Sequence, residues 1–341
     1  MSIAPGTNVP VGTVSRDGAI ESVHYGRIAV CAPDGRLLAS AGDPQAVQFW
    51  RSASKSIQAL SVVTTGAAEQ FALTQKELSV CCASHSGSAD HVATVLGILS
   101  KLGLDESALD CGTQVPGDAE ERNRLICEGE EPSQLHNNCS GKHAGMLATA
   151  RGLGVPVEGY LNFSHPVQRL IAANMSLLSK VPEEQFAVGR DGCGAPTVAM
   201  PLASMARAFA RMACPDDLPA EIAQAARTIA AATAAEPVMV SSAGSFNSEL
   251  LAAGEGDIIA KGGAEGLFCL ASTSRQVGIA VKCSDGSGRP LPPVAIALMR
   301  RFGIEVPEAL AERFERVPIT NRHYDTVGHV EAIDLALTMM A

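Results

Sequence analysis

The feature that most constrains this chain is the order of its segment types. β-type segments gather at its two ends and helical ones fill the middle. Residues 11–41 read as short strands, with Asp17-Gly18 and Asp34-Gly35 as hairpin-turn signals and a hairpin over 27–32 and 36–41. Near the other end, 258–260, 267–271 and 276–283 read as strands, Asp285-Gly286 as a turn, and 292–302 as a helix. Between them, apolar residues recur at helical spacing. Val92, Val95, Leu96, Ile98 and Leu99 define a helix over 91–104, capped by Ser88 or Asp90. Ser164-His165-Pro166 starts another, with proline in its first turn. Alanine-rich helices follow over 201–212 and 219–235, after a strand at 186–189. This order predicts an α+β fold with one antiparallel sheet built from the N- and C-terminal segments and a helical region inserted. Residues 1–341 form one unit on this reading, with roughly 1–50 and 255–341 making the sheet and 51–254 mainly helical.

Composition narrows the function. Hydrophobic residues make up 46% and charged residues 18% of 341, which predicts an ordered globular chain with a substantial core. A net charge of -10 argues against nucleic acid or an anionic membrane as partner. No basic cluster followed by an apolar core opens the sequence, and no uninterrupted apolar run reaches membrane-spanning length. The expectation is a cytoplasmic protein. Its ten cysteines are then reduced, and Cys81, Cys82, Cys269 and Cys283 read as small buried apolar residues.

Polar residues concentrate at a few places. Trp50-Arg51-Ser52-Ala53-Ser54-Lys55 opens an apolar-periodic run, which puts Ser52 and Lys55 three apart on one helical face. A serine needs a base, and a lysine can be one when burial or a second cation lowers its pKa. Ser84-His85-Ser86-Gly87 is a dense polar turn between helical stretches. In Asn138-Cys139-Ser140-Gly141-Lys142-His143, the residues Cys139, Lys142 and His143 converge on one helix face. Asp191-Gly192-Cys193-Gly194 is a sharp turn after a strand. By spacing and general ligand preference, a metal set would be Cys139, His143, Cys193 and Asp191. Residues 105–134 are charged and read as a solvated helix and loop, a lid or an oligomer surface. His24, His91, His136, His165, His323 and His329 have no partner pattern and read as structural or exposed.

The trio Ser52-x-x-Lys55, Ser84 and Lys261-Gly262-Gly263 is similar to the three-motif pattern of serine β-lactamases and penicillin-binding proteins, without its Ser-Asp-Asn and with Gly262 in place of a hydroxyl residue. Taken with the Asn138–His143 and Asp191–Gly194 stretches and with Gly263-Ala264-Glu265-Gly266, the chain more closely resembles the class 3, Rhizobium-type L-asparaginases, which have the same broad fold. The resemblance implies two Ser–Lys pairs, Ser52 with Lys55 and Ser84 with Lys261, hydrolysing the side-chain amide of L-asparagine. It implies Zn2+ at Cys139, Lys142 and Cys193, substrate contacts from Arg51, His143 and Asp191, and a homodimer. The alternatives are a glutaminase, a β-lactamase or peptidase on the same scaffold, a cysteine hydrolase using Cys139, and a non-catalytic zinc sensor.

Overall fold

The computed structural model describes residues 7–340. The chain divides into two compact units. One contains the segments up to Ala53, Met200–Cys214 and from Ala253 onward, and the other contains Ser54–Ala199 and Pro215–Ala252.

The first unit is built on a nine-stranded sheet. Its main path runs Arg316–Thr320, Thr326–Ala332, Val9–Arg16, Ala19–Cys31, Val277–Cys283, Leu267–Ser272 and Ile258–Gly263, while Leu37–Ala41 pairs with Ala19–Cys31 and Thr338–Met339 pairs with Leu37–Ala41. These pairings are antiparallel, and they join the two ends of the sequence. Gly12 pairs with Ala332 and Ile28 with Val281. The predicted 27–41 hairpin is present, with Ile28 opposite Ala41. All six residues of Leu267–Ser272 are buried, as a strand covered on both faces requires. The helices Leu202–Ala213 and Leu291–Arg301 pack on this sheet. The first lies close because Gly278 has no side chain, and a Cβ there would sit 2.1 Å from the Ala206 carbonyl oxygen.

The fold class is the α+β arrangement expected from the order of segments. One part of the sheet is additional. The hairpin Arg316–Thr320 and Thr326–Ala332 forms its edge and was not foreseen. Its alternation of exposed and half-buried residues, with Val317 and Ile319 inward, is the pattern of a strand wet on one face. The turn Asn321–Asp325 lacks glycine and closes instead through Asn321 Oδ1, which accepts from the His323 and Asp325 amides.

The second unit is helical and centres on Ser140–Leu153, in which every residue from Ser140 to Ala150 is buried. The helices Leu60–Thr64, Ala67–Gln70, Gln75–Cys81, Ala89–Lys101 and Pro166–Ser179 surround it. Gly141 permits the closest approach, since a Cβ would lie 2.2 Å from the Val80 carbonyl oxygen. A short hairpin, Ala187–Arg190 with Pro196–Pro201, carries the Asp191–Gly194 turn. In the charged stretch the helix Ala119–Glu128 is mostly exposed, but Glu121 is buried and accepts from Arg124 and His136. Among the described residues, no helix is long and apolar enough to cross a membrane.

Candidate active site

Ser52 stands in a single 3-10 turn, Arg51–Ser54, that leads straight into the α-helix Lys55–Gln58. Where the apolar periodicity from Ile57 onward reads as a helix, the chain makes this turn and two short α segments, the second being Leu60–Thr64. Arg51 has φ 46, the left-handed region that non-glycine residues rarely occupy. Such a conformation costs on the order of 1–3 kcal/mol and persists only where surrounding structure enforces it. Part of that enforcement is visible. Trp50 is fully buried and stacks on Phe209 at 6.2 Å between ring centroids. Gly263, on the Ile258–Gly263 strand, passes so near the turn that a Cβ would lie 3.0 Å from the Trp50 carbonyl oxygen and 3.3 Å from the Ala53 nitrogen. A side chain at position 263 would push the strand away from the turn that carries Ser52. Lys261, two residues earlier on that strand, is buried and donates to the Gly262 carbonyl at 2.9 Å.

The helical unit gathers a second group of polar side chains. Lys55 Nζ donates to Ser84 Oγ at 3.0 Å, to Cys139 Sγ at 3.2 Å, and to the carbonyls of Ala83 and Asn138. Ser84, expected as the partner of Lys261, also receives a hydrogen bond from Lys55. Backbone bonds from Ser84 to Val240 and from Ser86 to Ser241 hold the polar turn in place. His85 beside it is a fixed structural donor. Ser140 Oγ spends its only proton on the Leu135 carbonyl, so it accepts from His85 Nε2 at 2.9 Å, while His85 Nδ1 accepts from the Gly87 amide. Burial and the neighbouring His91 keep the His85 pKa well below its ordinary value.

Two turns of chain complete the cluster. Lys142 Nζ donates to Cys193 Sγ at 2.9 Å, and Cys193 hydrogen-bonds to Cys139. The Cys193 hydrogen bond pulls the Cys139 pKa well below that of a free thiol, and Lys55 and Lys142 act with it against burial. Cys193 is driven the other way by Cys139 and burial, so Cys139 is the sulfur of the pair that gives up its proton more readily. Burial lowers the pKa of Lys55, with Lys142 adding to the effect against the opposing pull of Cys139. For Lys142 burial also acts downward, but the sulfurs of Cys139 and Cys193 outweigh it and the pKa is raised. The two buried lysines are therefore shifted in opposite directions, Lys55 down and Lys142 up, because the sulfurs outweigh burial only at Lys142.

His143 lies next in sequence but makes different contacts. Its Nδ1 is 2.7 Å from the Tyr160 hydroxyl, which also accepts from the Asp110 amide. The set Cys139, His143, Cys193 and Asp191, suggested by spacing, is not gathered as a group of donors; among the described residues the one such group of three or more His, Cys, Asp or Glu is elsewhere. Asp191 braces the turn, accepting from the Gly192 amide, and adds to the field that raises Lys142. Two sulfurs and a lysine nitrogen, all buried and linked by hydrogen bonds, are donor types that zinc accepts once the lysine is neutral. The backbone carbonyls of Ala83 and Asn138, the Asn137 side chain that accepts from the Cys139 amide, and Tyr160 were not foreseen. Backbone acceptors leave no mark in sequence, and Tyr160 lies in no recognisable pattern with His143.

Residues 13–332 match the family described as L-asparaginase II, and the chain belongs to that family. It is therefore an amidohydrolase of the L-asparaginase type. No curated protein matches the chain. Similar solved structures include a β-lactamase from Mycobacterium bovis, at 13% identity over 81% of this chain and 94% of that one with a TM-score of 0.44. A β-lactamase/D-alanine carboxypeptidase from Pseudomonas syringae is 13% identical over 83% of this chain and 94% of its own, with a TM-score of 0.41. A Bacillus glutaminase is 12% identical over 83% and 92%, with a TM-score of 0.38.

Proposed function

We propose that the protein hydrolyses the side-chain amide of L-asparagine to L-aspartate and ammonia by serine acyl transfer, with Ser52 as nucleophile and Lys55 as the group that moves its proton. The observation that carries this reading is the buried Lys55, bonded to Ser84 and held below the ordinary lysine pKa. As a neutral amine, Lys55 has a lone pair that accepts a serine proton along the same line on which the ammonium form donates. Ser52 Oγ attacks the amide carbon, and the proton released passes through Lys55 and Ser84 to the departing ammonia. Water then attacks the ester, and the same groups return the proton to Ser52. Lys261 is proposed as the lysine of the second pair, with Ser84.

Arg51, His143 and Asp191 are proposed to hold the substrate's charged α-groups. Cys139, Lys142 and Cys193 would hold Zn2+, which supplies a fixed positive charge for orienting the substrate when bound. Lys142 must then give up a proton to coordinate. A homodimer and a cytoplasmic location belong to the same reading.

The test is ammonia release from L-asparagine and L-glutamine by the wild type, Ser52→Ala and Ser84→Ala. Release from asparagine that Ser52→Ala abolishes, and that Ser84→Ala slows, supports the assignment. Unchanged activity in a folded Ser52→Ala protein moves the nucleophile elsewhere, and preference for glutamine replaces the substrate.

A further inference from the structure

The sheet unit contains a group of potential ligands that the proposed chemistry does not use. His24, on the Ala19–Cys31 strand, places Nδ1 2.7 Å from Asp285 Oδ2. Cys283, the last residue of the Val277–Cys283 strand, donates its thiol to Asp285 Oδ1 at 2.9 Å. One ligand atom from each of the three residues lies within 4.8 Å of the others. His24 and Cys283 are buried, whereas the Asp285 side chain is 48% exposed. A borderline donor, a soft donor and a hard donor thus meet at a point open to solvent on the carboxylate side.

We propose that His24, Cys283 and Asp285 form a second metal site, for Zn2+, with water in the fourth position. The donor types are those zinc accepts, and three protein ligands with an open position is a recurrent zinc arrangement. Tetrahedral coordination at about 2.0–2.3 Å needs ligand atoms further apart than hydrogen-bonded ones. Asp285, in an exposed turn, is the residue that gives way.

The competing account is a purely structural carboxylate. Asp285 Oδ1 also accepts from the Ser287 amide, so the turn has a use for it without metal. Neither account gives His24 Nε2 a hydrogen-bond partner among the described residues, so the gathering of the three donors within 4.8 Å carries the proposal. Burial, reinforced by Asp285, raises the Cys283 pKa to about 12, so the sulfur is a thiol until a cation displaces its proton. On loading, that proton leaves to solvent and the His24 proton moves from Nδ1 to Nε2, a net release of one proton per ion. The Lys282 ammonium, which donates to the Cys283 carbonyl, opposes the incoming charge. A bound ion would join strands that lie at opposite ends of the sequence.

The experiment is titration of the metal-stripped full-length protein with Co2+, followed by absorbance and by bound-metal stoichiometry. Wild type should bind one equivalent more than Cys283→Ser, and that equivalent should carry a thiolate-to-cobalt charge-transfer band. Both proteins keep Cys139, Lys142 and Cys193, so the difference stands whether or not those residues bind metal. Asp285→Asn, an exposed substitution that can still accept from Ser287, should weaken the extra equivalent at least about tenfold. Equal stoichiometry and equal bands in wild type and Cys283→Ser overturn the proposal. If Cys283→Ser does not fold by circular dichroism, Asp285→Asn decides alone: unchanged cobalt affinity overturns the site.

Discussion

Cys269 in the sheet unit and Cys139 in the helical unit are both buried, at 0% and 5% exposure, yet their surroundings shift the thiol pKa in opposite directions. Around Cys269 burial is the only influence, and it pushes the thiol far above its ordinary pKa. Around Cys139 burial is overcome by the Cys193 hydrogen bond and by Lys55 and Lys142. Low exposure alone therefore says nothing about reactivity. What decides it is whether a folded chain brings cations and hydrogen-bond donors to the sulfur. Cys269 has only packing around it; Cys139 has a hydrogen-bond donor and two lysines.

The largest effect that would break this contrast is expected from Lys55→Met, which removes the amine while filling much of its volume. Activity on asparagine should fall by about 10²–10⁴-fold with the fold intact by circular dichroism. In the same variant Cys139 should react more slowly with iodoacetamide, whereas Cys269 should be unaffected. Equal alkylation of Cys139 in the two proteins would mean that Lys55 does not support the thiolate.

Packing gives the next effect, and here the two units should behave alike. Gly141→Ala would thrust a Cβ against Val80, and Gly278→Ala against Ala206. Each should destabilise by roughly 1–3 kcal/mol or more in urea denaturation. A neutral Gly141→Ala would show that its helix can shift without cost.

The effect that needs no substitution is pH dependence, and it should arise mainly in the helical unit. Burial is the largest cause lowering the pKa of His85, His91 and His143. The unfolded chain, with histidine near about 6.5, then binds protons that the folded one refuses. Stability should be full above that value and fall as pH drops below it, by at most about 1.4 kcal/mol per pH unit for each histidine. Thermal melts between pH 7.5 and 5 measure this slope, and His85→Gln should flatten it. A slope that His85→Gln leaves unchanged would place the titration elsewhere.

The sheet-flanked helical plan was legible because strand and helix periodicities differ and because the turn at Asp34-Gly35 has its own chemistry. The C-terminal edge hairpin was not, since half its residues face water and its turn depends on Asn321. At the site, residue types were visible but their partners were not. Nothing in sequence reveals that Lys55 donates to Ser84 and Cys139 together. Nor does it reveal the positive φ of Arg51, which follows from how Trp50 and Gly263 are anchored.

The pairing of Ile28 with Val281 has a consequence for biosynthesis. At about 5–20 residues per second, the Ala19–Cys31 strand leaves the ribosome on the order of 10–50 s before its neighbour Val277–Cys283 exists. During that interval its hydrogen-bonding edge has no native mate beyond the nearby hairpin strands, and such edges attract other chains. Late closure of the sheet predicts a yield that depends on the speed of translation through the intervening helices, which expression at two growth temperatures would check.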